Sequence, residues 1–229
     1  MKNDMSGIIR IFLDTETTGL STVKGDSHGA HRIVEIGCVK TVDGVIVDKF
    51  HAYLNPEREV SPGSKEVHGL SWSFLRQYPT FCKIYENFLN FIGQQMLVIH
   101  NARFDTGFLN WELEKISQKA LTNPIEDTLV LARKKFPGSP ASLDALCRRF
   151  RISLSERTYH GALLDAELLC AVYQELCKEQ NVFEFRDLLE FSETSLERYT
   201  SSKKRHDRQF VVNNEEALMH KEAIDRLLK

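Results

Sequence analysis

The sequence lacks the features that direct a chain into a membrane or out of the cell. It has no apolar run of membrane-spanning length, and no basic segment followed by an apolar one stands at its start. Its five cysteines are odd in number and form no C-x-x-C pair, which argues against a disulfide framework and against a zinc site. We therefore expect a cytoplasmic protein in which most cysteines are small core residues.

A strong charge of either sign is also missing. The chain has 30 Lys and Arg residues against 32 Asp and Glu residues, so its formal net charge is -2. This balance excludes adhesion to nucleic acid through bulk charge, and a nucleic-acid substrate would have to be held locally by metal ions and a groove. With 42% hydrophobic and 27% charged residues, the 229-residue chain can form one good-sized core with an appendage.

The most informative stretch begins with an apolar run over residues 8–13, which predicts a buried central strand. Asp14 and Glu16 follow it directly. In an extended backbone, residues two apart project to the same face, so the carboxylates would lie together at a strand end. Their repulsion favours a hard divalent cation such as Mg²⁺ or Mn²⁺, and Gly19 would let the backbone turn close to a ligand. An isolated pair of this kind is more often solvated surface, so its meaning depends on partners downstream.

The remaining pattern predicts an α/β fold with a mixed five-stranded sheet flanked by helices. Apolar runs over residues 32–40 and 45–54, separated by Asp43-Gly44, predict a hairpin and an antiparallel meander of the first three strands. Further strands are predicted over residues 96–100 and 124–127, and a loop over 55–71. Six helices are predicted. The first starts at residue 71, the second covers 80–94, the third ends at about 119 and the fourth ends at about 136. The fifth starts at residue 142 and the sixth covers 161–177.

Three more residues are candidates for the same site. Asp105 follows the second buried strand and opens a helix, and Asp165 lies on the last helix of the domain. His160 precedes that helix; a regular helix would not align it with Asp165, but a loop before the helix could bring the two together. Taken singly, such acids are more often helix caps, and a lone histidine is more often structural. Glu35, inside a strand, is expected to be a satisfied structural carboxylate.

Three sequence blocks carry a family resemblance. FLDTETTGL (residues 12–20), IHNARFD (99–105) and HGALLDA (160–166) resemble, in this order and spacing, the DEDD exonucleases of the histidine subtype. The similarity is greatest to the proofreading subunits of bacterial DNA polymerase III, and it covers roughly residues 8–178. The resemblance implies a ribonuclease H-like fold, two divalent metal ions (Mg²⁺ or Mn²⁺) and 3′→5′ hydrolysis of DNA to nucleoside 5′-monophosphates.

The resemblance also implies roles for single residues. Asp14 would bridge the two metal ions, which such sites hold about 3.5–4 Å apart, and Glu16 and Asp165 would complete the site of the water-activating ion. Asp105 would support the other ion, and His160 would be the general base. The terminal nucleotide would be bound by Thr17, Gly19, Leu20, His68, His100, Asn101 and Phe104, although core packing is an equal alternative for Phe104. Gly63 stands where the family carries an acid near the terminal sugar.

The composition changes after Lys178, so we expect an exonuclease domain over residues 1–179 and a flexible linker and partner-binding tail over 180–229. Gln180, Phe183 and Phe185 resemble a sliding-clamp motif, although a helix extension packed on the domain is an open alternative. Residues 211–223 resemble the segment that anchors such subunits to the polymerase (alpha) subunit. The tail residues proposed for that contact are Leu218 and His220, with Ala217, Ile224 and Leu227 on the docking face.

Two other functions stay open at this point. The same chemistry would serve a trimming exoribonuclease of the same superfamily. A catalytically inert scaffold, which would use the tail to join a polymerase to a clamp, is a third hypothesis, and the intact set of acids and histidine argues against it.

Overall fold

The computed structural model describes residues 7–22, 29–155 and 159–178. Its strands are β1 (Ile9–Thr17), β2 (Ile33–Val42), β3 (Val45–Tyr53), β4 (Met96–Ile99) and β5 (Ile125–Asp127). Its helices are α1 (Pro62–His68), α2 (Trp72–Leu75), α3 (Phe81–Ile92), α4 (Ala102–Lys115), α5 (Thr128–Lys135), α6 (Leu143–Phe150) and α7 (residues 162–178). In this part of the chain, no helix has the length and apolar character needed to cross a membrane.

The strands form one five-stranded sheet in the order β3-β2-β1-β4-β5. β1 pairs with β2 in antiparallel and with β4 in parallel orientation, and β5 is parallel to β4. Between β2 and β3, Asp43 and Gly44 both have positive φ angles, 51° and 82°, as a two-residue hairpin requires. The predicted meander and the mixed sheet with flanking helices are confirmed.

Two apolar layers cover the sheet, and β1 contributes to both because its side chains alternate. Ile11 and Leu13 pack with α3 and α4, and Phe12 packs on the other face with α5, α6 and α7. All three side chains are nearly inaccessible to solvent. The central strand is therefore buried on both faces over residues 11–13, as its largely apolar run predicts, although Arg10 interrupts that run.

β1 continues further than the sequence predicted. The site acids were expected to follow the strand, but β1 extends to Thr17 because β2 continues to pair with it as far as Glu16–Glu35 and Thr17–Ile33. The register shifts between Glu16 and Thr17, so the strand ends in a bulge. Bulges of this kind redirect side chains beside active sites.

The predicted loop over residues 55–71 is wrong over Pro62–His68, where the chain forms α1. The Ser61 hydroxyl caps the helix by accepting a hydrogen bond from the N–H of Ser64, and Pro62 stands at the first helical position. Gly69 ends the helix in the left-handed conformation with φ 74°. The proline and glycines that suggested a loop thus include the start and stop signals of a short helix.

Arg32 and Glu112 form a buried ion pair that joins the start of β2 to α4. Nε and Nη2 of Arg32 donate to the two carboxylate oxygens of Glu112 at 2.7 and 2.9 Å. Arg32 is 8% exposed and Glu112 is 1% exposed. Glu112 lies two turns beyond Asp105 on the same helix, so the pair also fixes the helix that carries a candidate site acid.

Replacing Glu112 by alanine should lower the free energy of unfolding by about 3 kcal/mol, because Arg32 would keep a buried charge without its main partner. Urea denaturation followed by circular dichroism measures this change. The control is Lys178→Ala, which removes the exposed Lys178–Glu175 bridge of 2.8 Å and should cost less than about 1 kcal/mol. Equal losses in the two variants would contradict the structural role of the buried pair.

Candidate active site

The carboxyl ends of β1 and β4 meet at one edge of the sheet, because the two strands are parallel neighbours. Asp14 and Glu16 occupy positions of β1 with the same parity as Phe12, which packs against α6 and α7. Side chains two apart on a strand share a face. The two carboxylates therefore project to the face of the sheet that α7 covers.

The start of α7 brings Asp165 and His160 to these carboxylates. Asp165 lies in the first turn of the helix, where its N–H donates to the carbonyl oxygen of Gly161 at 2.9 Å. Nδ1 of His160, which precedes the helix, lies 3.3 Å from Oδ2 of Asp165. Glu16, His160 and Asp165 offer ligand atoms that all lie within 4.8 Å of one another. The backbone before α7 thus brings together two residues that a regular helix would hold apart.

Gly37 of β2 allows α7 to come so close. It is the register partner of Asp14, and a Cβ atom at Gly37 would lie only 2.2 Å from the carbonyl carbon of Ala162 and from the nitrogen of Leu163. The first residues of α7 therefore rest on the backbone of β2. The sequence analysis did not single out Gly37, although a glycine inside a strand is the usual signal of a close backbone approach.

Asp105 reaches β1 from α4, on the other face of the sheet. Its Oδ1 accepts hydrogen bonds from the backbone N–H and from the hydroxyl of Thr15 at 2.9 and 2.7 Å. Asp105 is only 3% exposed. Thr15 lies between Asp14 and Glu16 on β1 and projects to the opposite face. The strand therefore carries two acids on one face and contacts Asp105 on the other.

These acids repel one another, and Glu16, Asp105 and Asp165 are buried. Burial raises the pKa of Asp14 well above its ordinary value, and the charges of Asp105, Asp165 and Glu16 raise it further. Burial also raises the pKa of Asp105 to about 7, against the two hydrogen bonds from Thr15, which lower it. Ionising these carboxylates therefore costs free energy that a bound cation would offset.

The donor set fits a hard divalent cation. Carboxylate oxygens are the ligands that Mg²⁺ and Mn²⁺ prefer in proteins. Glu16 and Asp165 lie close enough to share one ion, and Asp14 lies near both of them, since their charges act on its carboxyl group. The imidazole of His160 stands in the same group of donors. Divalent metal binding is thus what this constellation can support chemically.

Asp127 at the end of β5 holds the turn from which α4 begins. Its two carboxylate oxygens accept hydrogen bonds from the N–H groups of Asn101 and Ala102 at 3.1 and 3.0 Å, and Oδ1 also accepts from Leu129 at 2.9 Å. One side chain therefore caps α4 and α5 together and holds Asn101 at φ 67°. The sequence analysis missed Asp127, although an Asp between a strand and a helix is a typical N-cap signal.

A first cavity of about 670 Å³ lies beside Glu16. Leu20 is 85% exposed at this cavity, whereas Phe104 is half-buried, with its ring 5.0 Å from that of Phe108. Phe104 therefore packs on the core and also lines the cavity, so core packing and a position at the predicted nucleotide pocket hold together for this residue. The predicted nucleotide-binding residues that line this cavity are Thr17, Gly19, Leu20, His68 and Phe104.

His31 was not predicted but also lines the first cavity. Its ring occupies the space that a side chain at Gly19 would need, because a Cβ there would lie 2.3 Å from the ring. Nδ1 of His31 lies 3.1 Å from the hydroxyl oxygen of Thr18. The hydroxyl of Thr17 donates to the carbonyl oxygen of Gly19 at 2.6 Å. The turn after β1 is therefore held by its own side chains and by His31.

His68 uses both ring nitrogens inside the protein. Nδ1 accepts from the N–H of Leu70 at 3.0 Å, so Nε2 is the donor to the carbonyl oxygen of Thr17 at 3.2 Å. Burial lowers the pKa of His68, which keeps the imidazole neutral. Any contact of this residue with a nucleotide would therefore use the ring rather than a free nitrogen.

A second cavity of about 460 Å³ adjoins Asp14, His160 and Asp165. His100 and Asn101, the other two residues predicted to bind a nucleotide, line this cavity and not the first one. Nδ1 of His100 lies 2.9 Å from the hydroxyl oxygen of Thr128, which joins the end of β4 to the start of α5. The structure thus divides the predicted nucleotide residues between two cavities.

Two sequence predictions concern positions away from the acids. Gly63 lines the first cavity, and Glu16 is the only acid among the described residues that line it. The predicted tail contacts lie outside the described residues; they are Gln180, Phe183, Phe185, Leu218 and His220.

Comparisons with known proteins agree on one family. A family model described as exonuclease (RNase_T) matches residues 11–173. DNA polymerase III subunit epsilon of Rickettsia typhi is 43% identical over 232 residues, which span 98% of this chain and 99% of the relative. The subunit of the same name from Escherichia coli K12 is 43% identical over 181 residues, covering 77% of this chain and 74% of the relative.

A solved structure supports the fold. The nuclease domain of 3′hExo, described as a DEDDh family member bound to rAMP, matches with a TM-score of 0.62 and 16% identity. The match covers 77% of this chain and 94% of that domain. At this identity the likeness establishes the fold alone.

Replacing Gly37 by alanine should weaken Mn²⁺ binding about tenfold, because the added methyl group would push the start of α7, and with it Asp165, away from β1. Isothermal titration calorimetry with Mn²⁺ measures the affinity. The control is Gly107→Ala, where a Cβ atom meets nothing within 4 Å. If Gly37→Ala bound Mn²⁺ as tightly as the control, the contact would not set the geometry of the acids.

Proposed function

The chain belongs to the exonuclease family and, within it, to the DNA polymerase III epsilon subunits, and from this premise we propose that it removes mispaired nucleotides from the 3′ end of DNA during replication. It is a 3′→5′ exonuclease that releases nucleoside 5′-monophosphates. The proposal extends to the roles of single residues, to the metal ions and to the tail.

The observation that carries the assignment is the meeting of four acids and one histidine beside a cavity of nucleotide size. Asp14 and Glu16 come from β1, Asp105 from α4, and Asp165 and His160 from the start of α7. No two of these three elements are adjacent in the sequence. A cavity of about 670 Å³ is within the range that binds small ligands, and it opens directly beside Glu16.

We assign the binding of two divalent cations, Mg²⁺ or Mn²⁺, to these acids. Asp14 would contact both ions, Glu16 and Asp165 would hold one, and Asp105 would support the other. When bound, the ions supply an activated water and neutralise the charge that develops on the attacking and leaving oxygens. The raised pKa values of Asp14 and Asp105 support this assignment, since the site accumulates negative charge that a cation would balance.

His160 has the position of a general base. Its side chain is 44% exposed, so it can pass a proton to bulk water, and Asp165 holds its Nδ1 at 3.3 Å. A general base must take up a proton and return it in each cycle, and histidine is the side chain that most often does so. The contact with the buried Asp165 orients the ring.

The first cavity would receive the terminal nucleotide. Exposed Leu20 and half-buried Phe104 offer apolar faces to a base, and such stacking tolerates any base. A proofreading enzyme must remove every mispaired base, so its pocket cannot depend on hydrogen bonds specific to one base. Both ring nitrogens of His68 are hydrogen-bonded within the protein, which is consistent with a pocket that makes no base-specific hydrogen bonds.

We propose that residues 1–179 form the exonuclease domain and that residues 180–229, which lie outside the described residues, form a linker and a tail that bind partners. Gln180, Phe183 and Phe185 would contact a sliding clamp, and Leu218 and His220 would contact the polymerase subunit. A tether of this kind raises the effective concentration of the nuclease at the primer end. It would compensate for the weak DNA affinity expected of a chain with a net charge of -2.

With Mg²⁺ or Mn²⁺, the chain should shorten a 3′-mismatched DNA primer to nucleoside 5′-monophosphates, and chelation should stop the reaction. Gel electrophoresis of a labelled primer and chromatography of the products measure both effects. An RNA strand of the same sequence, digested in parallel, should disappear more slowly. Faster digestion of RNA would favour the trimming exoribonuclease instead.

The same assay tests the site residues. Asp14→Asn should remove nearly all turnover, and His160→Ala should lower kcat about 10²- to 10⁴-fold, as loss of a general base does. Asp48→Asn, the same change on an exposed carboxylate of β3, is the matched control and should leave the rate unchanged. Full activity of Asp14→Asn or His160→Ala would refute the catalytic roles of these two residues.

Deleting residues 180–229 should abolish co-elution with the polymerase subunit but leave digestion of a short single-stranded primer within about twofold, because the tail would act by tethering alone. Size-exclusion chromatography with the purified polymerase subunit measures the association. The double change Phe183→Ala and Phe185→Ala is the matched control, since it should remove clamp binding only. Unchanged co-elution of the shortened chain would contradict the proposed tail.

A further inference from the structure

The acid cluster lies between the two cavities. Glu16 lines the first cavity, while Asp14 and Asp165 line the second. Glu16 and Asp165 nevertheless offer ligand atoms within 4.8 Å of each other. A DNA strand whose terminal nucleotide fills the first cavity, and whose scissile phosphate lies at the acids, would therefore continue into the second cavity.

Among the described residues that line the second cavity, Arg133 carries a permanent positive charge. Arg133 is the only lysine or arginine among the described residues that line either cavity, and it shares the second cavity with Asp14, Asp144 and Asp165. A cavity rich in carboxylates repels a polyanionic strand, and a positive group beside the carboxylates would reduce this repulsion. The planar guanidinium also matches phosphate oxygens through two parallel hydrogen bonds.

The helix holds Arg133 in place without engaging its charge. Thr128 and Ala132 of α5 are completely buried, and the Asp127 cap fixes the start of the helix, so the exposed position of Arg133 is set by the helix rotation. Within the part of the chain that the structure describes, no hydrogen bond or ion pair involves the guanidinium. Burial lowers the pKa of His100, and the charge of Arg133 acts in the same direction, which places that charge near a second residue of the cavity.

We propose that Arg133 binds the phosphate on the 5′ side of the scissile one and so holds the strand that leads into the acid cluster. This inference rests on the proposed function, because it assumes a strand with its 3′ end at the acids. It assigns α5 a direct part in substrate binding, whereas a basic residue in the last turn of a helix would ordinarily serve only the helix dipole.

Binding is the decisive measurement, since it does not require turnover. With the full chain in EDTA, fluorescence anisotropy of a labelled single-stranded DNA should give a Kd about tenfold higher for Arg133→Gln than for the unchanged protein. The slope of log Kd against log salt concentration should decrease by about 0.7, the value for one lost phosphate contact on a single strand. Arg133→Lys should recover part of the affinity, because it keeps the charge but loses the guanidinium geometry.

Lys134→Gln is the matched control, because Lys134 is the next residue of α5, carries the same charge, is exposed and lines neither cavity. A Kd of Arg133→Gln equal to that of Lys134→Gln would overturn the inference. An oligonucleotide with a neutral methylphosphonate at the penultimate linkage adds a second test: it should weaken binding to the unchanged protein and leave Arg133→Gln unaffected. Equal weakening of both proteins would also overturn it.

Hydrolysis separates this inference from the proposed function. The p-nitrophenyl ester of thymidine 5′-monophosphate has one phosphate, so Arg133→Gln should lose about tenfold more kcat/KM on an oligonucleotide than on this ester. Equal losses on both substrates would show a general structural defect and overturn the inference. Absence of hydrolysis by every form would overturn the proposed function, and the Kd values would still decide the role of Arg133.

Discussion

Repulsion between largely buried carboxylates is the constraint on which this structure depends. Burial and the charges of four neighbouring acids raise the pKa of Asp14 well above its ordinary value. Surrounding contacts must hold such an arrangement in place, and a bound cation would offset the cost of ionising it. The proposed chemistry follows from the same excess of negative charge, because a site that attracts divalent cations can activate water and neutralise a phosphate.

Three contacts remote from the chemistry hold the acids in place. The missing side chain at Gly37 lets α7 lie on β2, and the Arg32–Glu112 pair fixes α4 from the other face. The Asp127 carboxylate caps both α4 and α5. Because β1 lies between the two layers, a small displacement of either helix would change the distance between Asp165 or Asp105 and the strand. The geometry of the site is thus distributed over residues that carry no chemistry themselves.

The sheet, its meander and most helices followed from local patterns. The central strands have largely apolar runs, interrupted by Arg10 in β1 and by Glu35 in β2, and Asp43-Gly44 adopts the positive φ angles that a tight hairpin needs. The failures are local as well: α1 was hidden because Ser61, Pro62 and Gly69 are equally typical of loops and of helix ends. The end of β1 was misplaced because strand pairing with β2, which the sequence does not encode locally, decides where a strand stops.

The sequence by itself determined which residue types are available: four acids and a histidine in blocks whose order and spacing resemble one family of nucleases. It also determined that their parity on β1 would place Asp14 and Glu16 on one face, since alternation is a property of any extended backbone. Only the tertiary structure decided that His160 would reach Asp165, that one carboxylate of β5 would cap two helices, and that Arg133 would line the cavity beside the acids. These relations join residues far apart in the chain or depend on how a loop enters a helix, so they exist only once the layers have packed.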